Sequence, residues 1–313
     1  MSTSGSGGGG GGMTSTKLEA EADMCCASCG IAGVDDVKLK KCTACQLVRY
    51  CSVECQQEHR PQHEEECVNQ MAELHDEILF KQPESSHFGD CPICLLPLPL
   101  DLSESSITSC CSKTICDGCA YQLHELEQSL EPKCPFCRQT TANITKEEAK
   151  LQEMRRAEAN DPAALREVGM LTYHEGNCAS AFEYWTKAAE LGDAEAHFQL
   201  SSLYKKGLGV ENDTKKAMYH AEQAAIAGHA YARHNLGCHE ERNGRMDRAG
   251  KHFVIAANLG CDDSMKAVMK YYKGGWVTKE DFAAALRAHQ AAVDATKSPQ
   301  REAAAGYQRV NSI

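Results

Sequence analysis

The fold class predicted by the sequence is a pair of small cysteine-rich domains followed by an all-α solenoid of helical-hairpin repeats. Three observations carry it. Sixteen of the nineteen cysteines fall before residue 140, most of them in closely spaced pairs. The pair Ala-Ala recurs at 188–189, 224–225, 256–257 and 291–292, and the first three pairs are followed by Gly192, Gly228 and Gly260. The opening residues have no signal-peptide core, and no apolar run approaches the ~20 residues of a membrane helix. A reducing, intracellular setting follows as the expectation, cytoplasmic or nuclear. There, paired cysteines hold metal more often than they form disulfides, so the small domains are expected to be zinc-stabilised.

The 313 residues carry 33 basic and 44 acidic side chains, a formal charge of -11. That balance argues against a general phosphate-binding surface, so no specific nucleic acid is expected. No phosphate-binding loop or hydrolase elbow is present. Residues 1–20 are Gly/Ser-rich and too polar to bury a core, which predicts a disordered tail. A first cysteine array spans 26–67 and a second spans 91–138, separated by a short charged segment. Residues 145–160, TKEEAKLQEMRRAEAN, are strong helix formers and read as a helical connector. The repeats are expected over 161–297, with a flexible tail at 298–313.

The first array reads Cys26-x2-Cys29, Cys42-x2-Cys45, Cys51-x3-Cys55, His63-x3-Cys67. Eight thiolate and imidazole donors make two closed, structural tetrahedral zinc sites. The last two pairs are spaced about one helical turn apart, which puts both members on one helix face. Cys25 competes with Cys26, and His59 with His63, for the same roles. The stretch YCSVECQ, Tyr50–Gln56, and the closing H-x3-C resemble the MYND zinc finger. That resemblance implies interleaved sites: Cys26, Cys29, Cys51 and Cys55 on one zinc, Cys42, Cys45, His63 and Cys67 on the other. It also implies protein partners, among them short Pro-rich peptides. Arg60 departs from the family's aromatic, and the gap from Cys29 to Cys42 is long.

The second array reads Cys91-x2-Cys94, Cys110-Cys111, Cys116-x2-Cys119, Cys134-x2-Cys137. CPIC and CPFC at its ends resemble a RING finger. In the common form the fourth ligand stands three residues before the fifth, a position held here by Lys113. A protonated lysine has no lone pair for zinc. Cys110 with Cys111, Cys134 and Cys137 can close the site instead. Cys111 with His124, or a finger lacking one metal, are the alternatives. About four zincs per chain are expected with both arrays complete. The RING resemblance implies a ubiquitin ligase with no covalent residue, which positions a ubiquitin-charged conjugating enzyme. The implied contact residues are Ile93, one or more of Tyr121–Leu126, Pro135 and the cation Arg138. The opposing reading is a non-catalytic zinc-dependent scaffold.

In the C-terminal half the alanine pairs are 36, 32 and 35 residues apart. A period of this size means stacked hairpins that bury together what one cannot bury alone. L-x3-Y-x2-G-x-G-V-x2-D-x2-K-A-x6-A-A-x2-G, from Leu200 to Gly228, resembles the Sel-1-like repeat. The resemblance implies a solenoid, related to tetratricopeptide repeats, whose concave face receives protein partners such as a substrate. Cys178, Cys238 and Cys261 are expected to be small packing residues.

Overall fold

The computed structural model describes residues 25–33, 38–127, 133–141 and 144–311. The tail expected over 1–20 lies outside the described residues. The chain divides into two units, Met1–Ile78 and Leu79–Ile313.

The first unit is built on two knuckles and a helix. Strands β1 (Lys40–Lys41) and β2 (Arg49–Tyr50) pair antiparallel and flank the Cys42–Cys45 turn. Helix α1, Val53–Leu79, starts just after Cys51 and runs 27 residues. It passes through Pro61 and extends beyond the last cysteine, because VNQMAELHDEIL contains no breaker. The charged segment that the sequence suggested as a separator is thus largely helical. The core here is little more than Cys26, Cys42, Cys45 and Tyr50. A core this small cannot hold a fold by burial alone.

The second unit joins the second array to the repeats. A 3-10 turn, Leu102–Glu104, leads into strands β3 (Ser105–Ile107) and β4 (Thr114–Cys116), which pair antiparallel around the doubled cysteine. Helix α2, Asp117–Glu127, follows directly. Connector helix α3, Lys146–Glu158, opens on a capping box between Thr145 and Glu148.

Four hairpins follow: α4 (Pro162–His174) with α5 (Cys178–Glu190), α6 (Ala194–Lys206) with α7 (Thr214–Ile226), α8 (Ala230–Arg242) with α9 (Met246–Asn258), and α10 (Asp262–Lys273) with α11 (Lys279–Ala295). Side chains of Asp161, Asn177, Asp193, Asp213 and Thr278 accept backbone N–H groups at helix starts. The repeat glycines 192, 228 and 260 take φ of 88°, 89° and 92°, the left-handed turn that ends a helix. Ala188, Ala224, Ala225, Ala256 and Ala257 are fully buried, so the small residues bring the helices together. Bulk meets its absence across two of the hairpins: Trp185 fills the space over Gly169, and Phe253 fills that over Gly237.

One expectation is corrected. Residues 298–313 were expected as a flexible tail, but Pro299–Asn311 form helix α12. Ser298 caps it by accepting the Arg301 N–H at 3.2 Å, and Pro299 suits its first turn. The helix docks on α2, where Tyr307 meets Tyr121 with ring centroids 5.2 Å apart. Gly118 permits the approach, since a Cβ there would lie 2.7 Å from the Arg301 nitrogen.

Candidate metal centres and the repeat surface

The fifteen cysteines and one histidine picked from the sequence fall into four groups of four. They are Cys26, Cys29, Cys51 and Cys55; Cys42, Cys45, His63 and Cys67; Cys91, Cys94, Cys116 and Cys119; and Cys110, Cys111, Cys134 and Cys137. Within each group the donor atoms lie within 4.8 Å of one another. The grouping is interleaved in both arrays, first and third pairs together, second and fourth together. Cys25 and His59 stand outside. His59 instead shares a hydrogen bond with the Tyr50 hydroxyl at 3.0 Å and stacks beside His63. His124 is exposed on α2 and belongs to no group. Lys113 is also exposed.

The donor spacings fit zinc. Four bonds of ~2.3 Å in a tetrahedron separate sulfurs by about 3.8 Å, whereas a disulfide needs ~2.05 Å. The observed Sγ–Sγ distances are 3.6 Å for Cys29–Cys51, 3.6 Å for Cys51–Cys55, 4.0 Å for Cys42–Cys67 and 3.8 Å for Cys94–Cys116. In the group with the doubled cysteine, Cys111–Cys134 is 3.6 Å and Cys110–Cys137 is 3.4 Å. Cys110 and Cys111 lie in a tight turn closed on the Thr108 carbonyl, which lets both face inward, and Ser112 leaves it at φ 55°. The His63 Nε2 lies 3.1 Å from the Cys45 sulfur, while its Nδ1 faces the Glu66 carboxylate at 3.5 Å.

Backbone amides favour the thiolate at Cys26 and Cys42, whereas the neighbouring Cys29 sulfur raises Cys51 and burial raises Cys67, Cys110 and Cys119. At Cys26 burial opposes ionisation, yet the amides of Cys29, Cys51 and Ser28 outweigh it and bring the thiol down to about 6. Cys42 behaves alike: against burial, the amides of Cys45 and Ala44 bring it to about 6.

A fifth convergence was not legible as a motif. His87, Glu195 and His229 bring their donors within 4.8 Å inside the second unit. His229 occupies the position after the repeat glycine, where Asp193 caps the preceding hairpin. Its Nδ1 accepts the Ala232 N–H at 3.1 Å, so in the neutral ring Nε2 carries the proton and donates to Glu195 at 3.0 Å. His87 stacks on His229, with centroids 4.2 Å apart and planes within 10°. Parallel rings cannot aim both lone pairs at one ion. His229 therefore hydrogen-bonds a buried carboxylate, and His87 stacks over it with its Nε2 3.4 Å from the same oxygen. Burial works against the charge, but the bond from His229 and the close imidazole of His87 hold Glu195 well below the usual carboxylate range.

A clamp lies beside it. Arg233 is fully buried, and its Nη1 donates to the Leu79 carbonyl while Nη2 donates to that of Ala225 at 2.8 Å. Burial pulls this guanidinium down to about 10. Leu79 packs among Ala221, Ala224, Ala225, Ala232 and Leu236, and His87 N donates to the Gly228 carbonyl at 3.2 Å.

Two known families match parts of the chain. The MYND finger family model matches residues 26–67, and the Sel1 repeat model matches 162–193 and 194–229. Among solved structures, one similar chain is c5321, described as a protective antigen present in uropathogenic Escherichia coli strains and displaying an SLR fold. It is 23% identical with a TM-score of 0.40, over 45% of this chain and 33% of that one. Another is a Sel1 repeat protein from Oxalobacter formigenes, 20% identical with a TM-score of 0.41, over 58% of this chain and 73% of that one. This chain thus spans about a third of the first structure's length. No curated protein matches the chain significantly. Fold and sites together define a zinc-binding protein-interaction protein. Its MYND region comes first and a helical Sel1-repeat solenoid follows. Among the described residues, no helix is long and apolar enough to cross a membrane.

Proposed function

We propose that the chain is a RING-type ubiquitin ligase whose second array receives a ubiquitin-charged conjugating enzyme, while the MYND finger and the repeats recruit substrate or Pro-rich partners. The same proposal assigns zinc to each of the four donor groups, with Cys110 and Cys111 both ligands. Zinc there is structural: it closes the knuckles that carry the contact residues.

The observation that carries the reading is the exposure of the contact set. Ile93 sits between the first two cysteines and keeps 39% of its surface in water. Pro135 and Arg138, within and just after the last knuckle, are exposed as well. An isoleucine this open on a zinc knuckle contributes nothing to the core of the array, which is formed by Cys91, Leu98, Ile115, Cys116 and Cys119. It suits an apolar docking surface. Catalysis would then be positional: the surface holds the charged enzyme, and Arg138 offers a cation toward ubiquitin.

One observation favours a non-catalytic scaffold. Tyr121, a candidate for the contact helix, is engaged by Tyr307 of α12. The two readings separate in a self-ubiquitylation assay with a panel of conjugating enzymes. Chains formed by the wild type and lost in Ile93→Ala support the ligase. No chains above a zinc-stripped control would leave the scaffold.

A further inference from the structure

The C-terminal helix reaches back to the second array with one charged side chain. Arg301 stands in the first turn of α12, 207 residues beyond Cys94. Its Nη2 points at the Cys94 sulfur at 3.6 Å and at the Leu96 carbonyl at 3.3 Å. Its Nη1 donates to the carbonyls of Pro97 and Thr296, each at 2.7 Å. Four donors are thus used, on three carbonyl oxygens and one sulfur, with no carboxylate among the acceptors. The guanidinium is half-buried, and its Nε is enclosed without a partner.

A half-buried cation that finds no carboxylate needs a counter-charge elsewhere. The one beside it is the group Cys91, Cys94, Cys116 and Cys119. Four thiolates on one divalent zinc leave two net negative charges. Cys91 is already served by the backbone, since the Cys116 N–H reaches its sulfur at 3.5 Å. Cys94 receives the guanidinium instead. The three carbonyls fix the fork in place, and two of them, on Leu96 and Pro97, belong to the same knuckle as Cys94. Gly118 lets α12 come close enough for this, and a side chain there would strike the Arg301 backbone.

We infer that Arg301 is a positioning residue of the Cys91–Cys94–Cys116–Cys119 zinc site: it donates to the Cys94 thiolate and offsets the site's negative charge. The finger at 91–138 is then completed only when the chain returns at 298–311, and removal of the last helix should loosen a zinc that it does not ligate. A donor on a metal-bound thiolate withdraws electron density, which keeps the sulfur less nucleophilic and less readily attacked. This inference rests on zinc at that group and not on ligase activity.

The test uses the full zinc-loaded chain as wild type, Arg301→Met and Arg301→Lys. Zinc per chain is counted first. Zinc transfer to a colorimetric chelator is then followed alongside alkylation of individual cysteines by iodoacetamide, read by peptide mass spectrometry. Arg301→Met is expected to release one zinc roughly ten- to a hundredfold faster, the range for removing a partner outside the ligand shell. Alkylation of Cys94 should quicken while Cys137, exposed in the other group, keeps its wild-type rate. Arg301→Lys, which retains the charge, should fall between. General loosening would instead raise both cysteines together, and that result would overturn the inference, as would a Cys94 rate unchanged in Arg301→Met. A wild type holding fewer than four zincs, with Cys94 alkylated as fast as free thiol, would remove the zinc reading itself and the inference with it.

Discussion

The sulfur of Cys110 lies 3.4 Å from that of Cys137, while its neighbour Cys111 meets Cys134 at 3.6 Å. Adjacent residues in an extended strand point to opposite sides, so this pairing requires that Cys110 and Cys111 lie in a turn, which they do. Thr108 stabilises it by accepting two N–H groups at its carbonyl, those of Cys111 and Ser112, while its hydroxyl receives the Lys113 N–H at 3.0 Å. Lys113 therefore contributes its backbone to the turn and leaves its ammonium in water.

Native mass spectrometry checks the consequence. Cys110→Ser should drop the zinc count from about four to three, because a neutral hydroxyl is a poor ligand for zinc. Lys113→Ala and His124→Ala should retain all four. A full count in Cys110→Ser would exclude Cys110 from the site.

Arg233 is expected to be a costly polar truncation in the repeats. It bonds the Leu79 carbonyl and a carbonyl in the last turn of α7, where the macrodipole is negative. Arg233→Ala would strip the Leu79 carbonyl of the guanidinium in a dry core, leave the Ala225 carbonyl with only its backbone N–H partner from Gly228, and open a cavity. The expected loss is about 3 kcal/mol, measured by urea unfolding of the full chain. A loss below about 1 kcal/mol would mean that water replaces the guanidinium.

The hairpins and the clustering of cysteines were legible because each rests on local chemistry: a capping Asp, a left-handed Gly, a spacing of three or four residues. Helix α12 had a local signal too, Ser298 followed by Pro299, but its Ala- and Arg-rich sequence says nothing about docking. That depends on Gly118, far away in the chain. Arg233 and the cluster of His87, Glu195 and His229 were invisible for the same reason. Each is a polar residue in a helical repeat, where solvent exposure is the default expectation, and only the return of residues 79–88 buries it.

The Gly169–Trp185 and Gly237–Phe253 pairs should tolerate no added methyl. A Cβ on residue 237 would come within 2.6 Å of the Phe253 ring, and one on residue 169 within 2.5 Å of the Trp185 indole. Alanine normally favours a helix over glycine by ~1 kcal/mol, but overpacking costs ~1–3 kcal/mol, so clash wins. Thermal unfolding of Gly237→Ala should show a lowered Tm. Adding Phe253→Leu to it should recover part of the loss, and failure to recover would rule out the clash as cause.

His252 gives the repeats an acid-sensitive point. It is buried against Phe80, with ring centroids 4.7 Å apart, and neither ring nitrogen has a hydrogen bond. Burial, reinforced by the charges of Arg233 and Arg248, pushes its pKa from 6.5 down to about 3. The folded state therefore holds the neutral ring, whereas the unfolded chain binds a proton below about 6.5. The unfolded state then carries more protons between those values, so stability is complete above pH 6.5 and declines as pH falls toward 3. At pH 5 the decline from this one residue is about 2 kcal/mol. His252→Phe keeps a ring against Phe80 and removes the proton. Its stability should match or exceed the wild type at pH 7.5, and the gap should widen by about 2 kcal/mol on going to pH 5. Protonation of zinc ligands affects both proteins alike and cancels in the difference. Urea titrations at the two pH values measure it, and parallel curves would mean that His252 is already charged, or already solvated, in the folded chain.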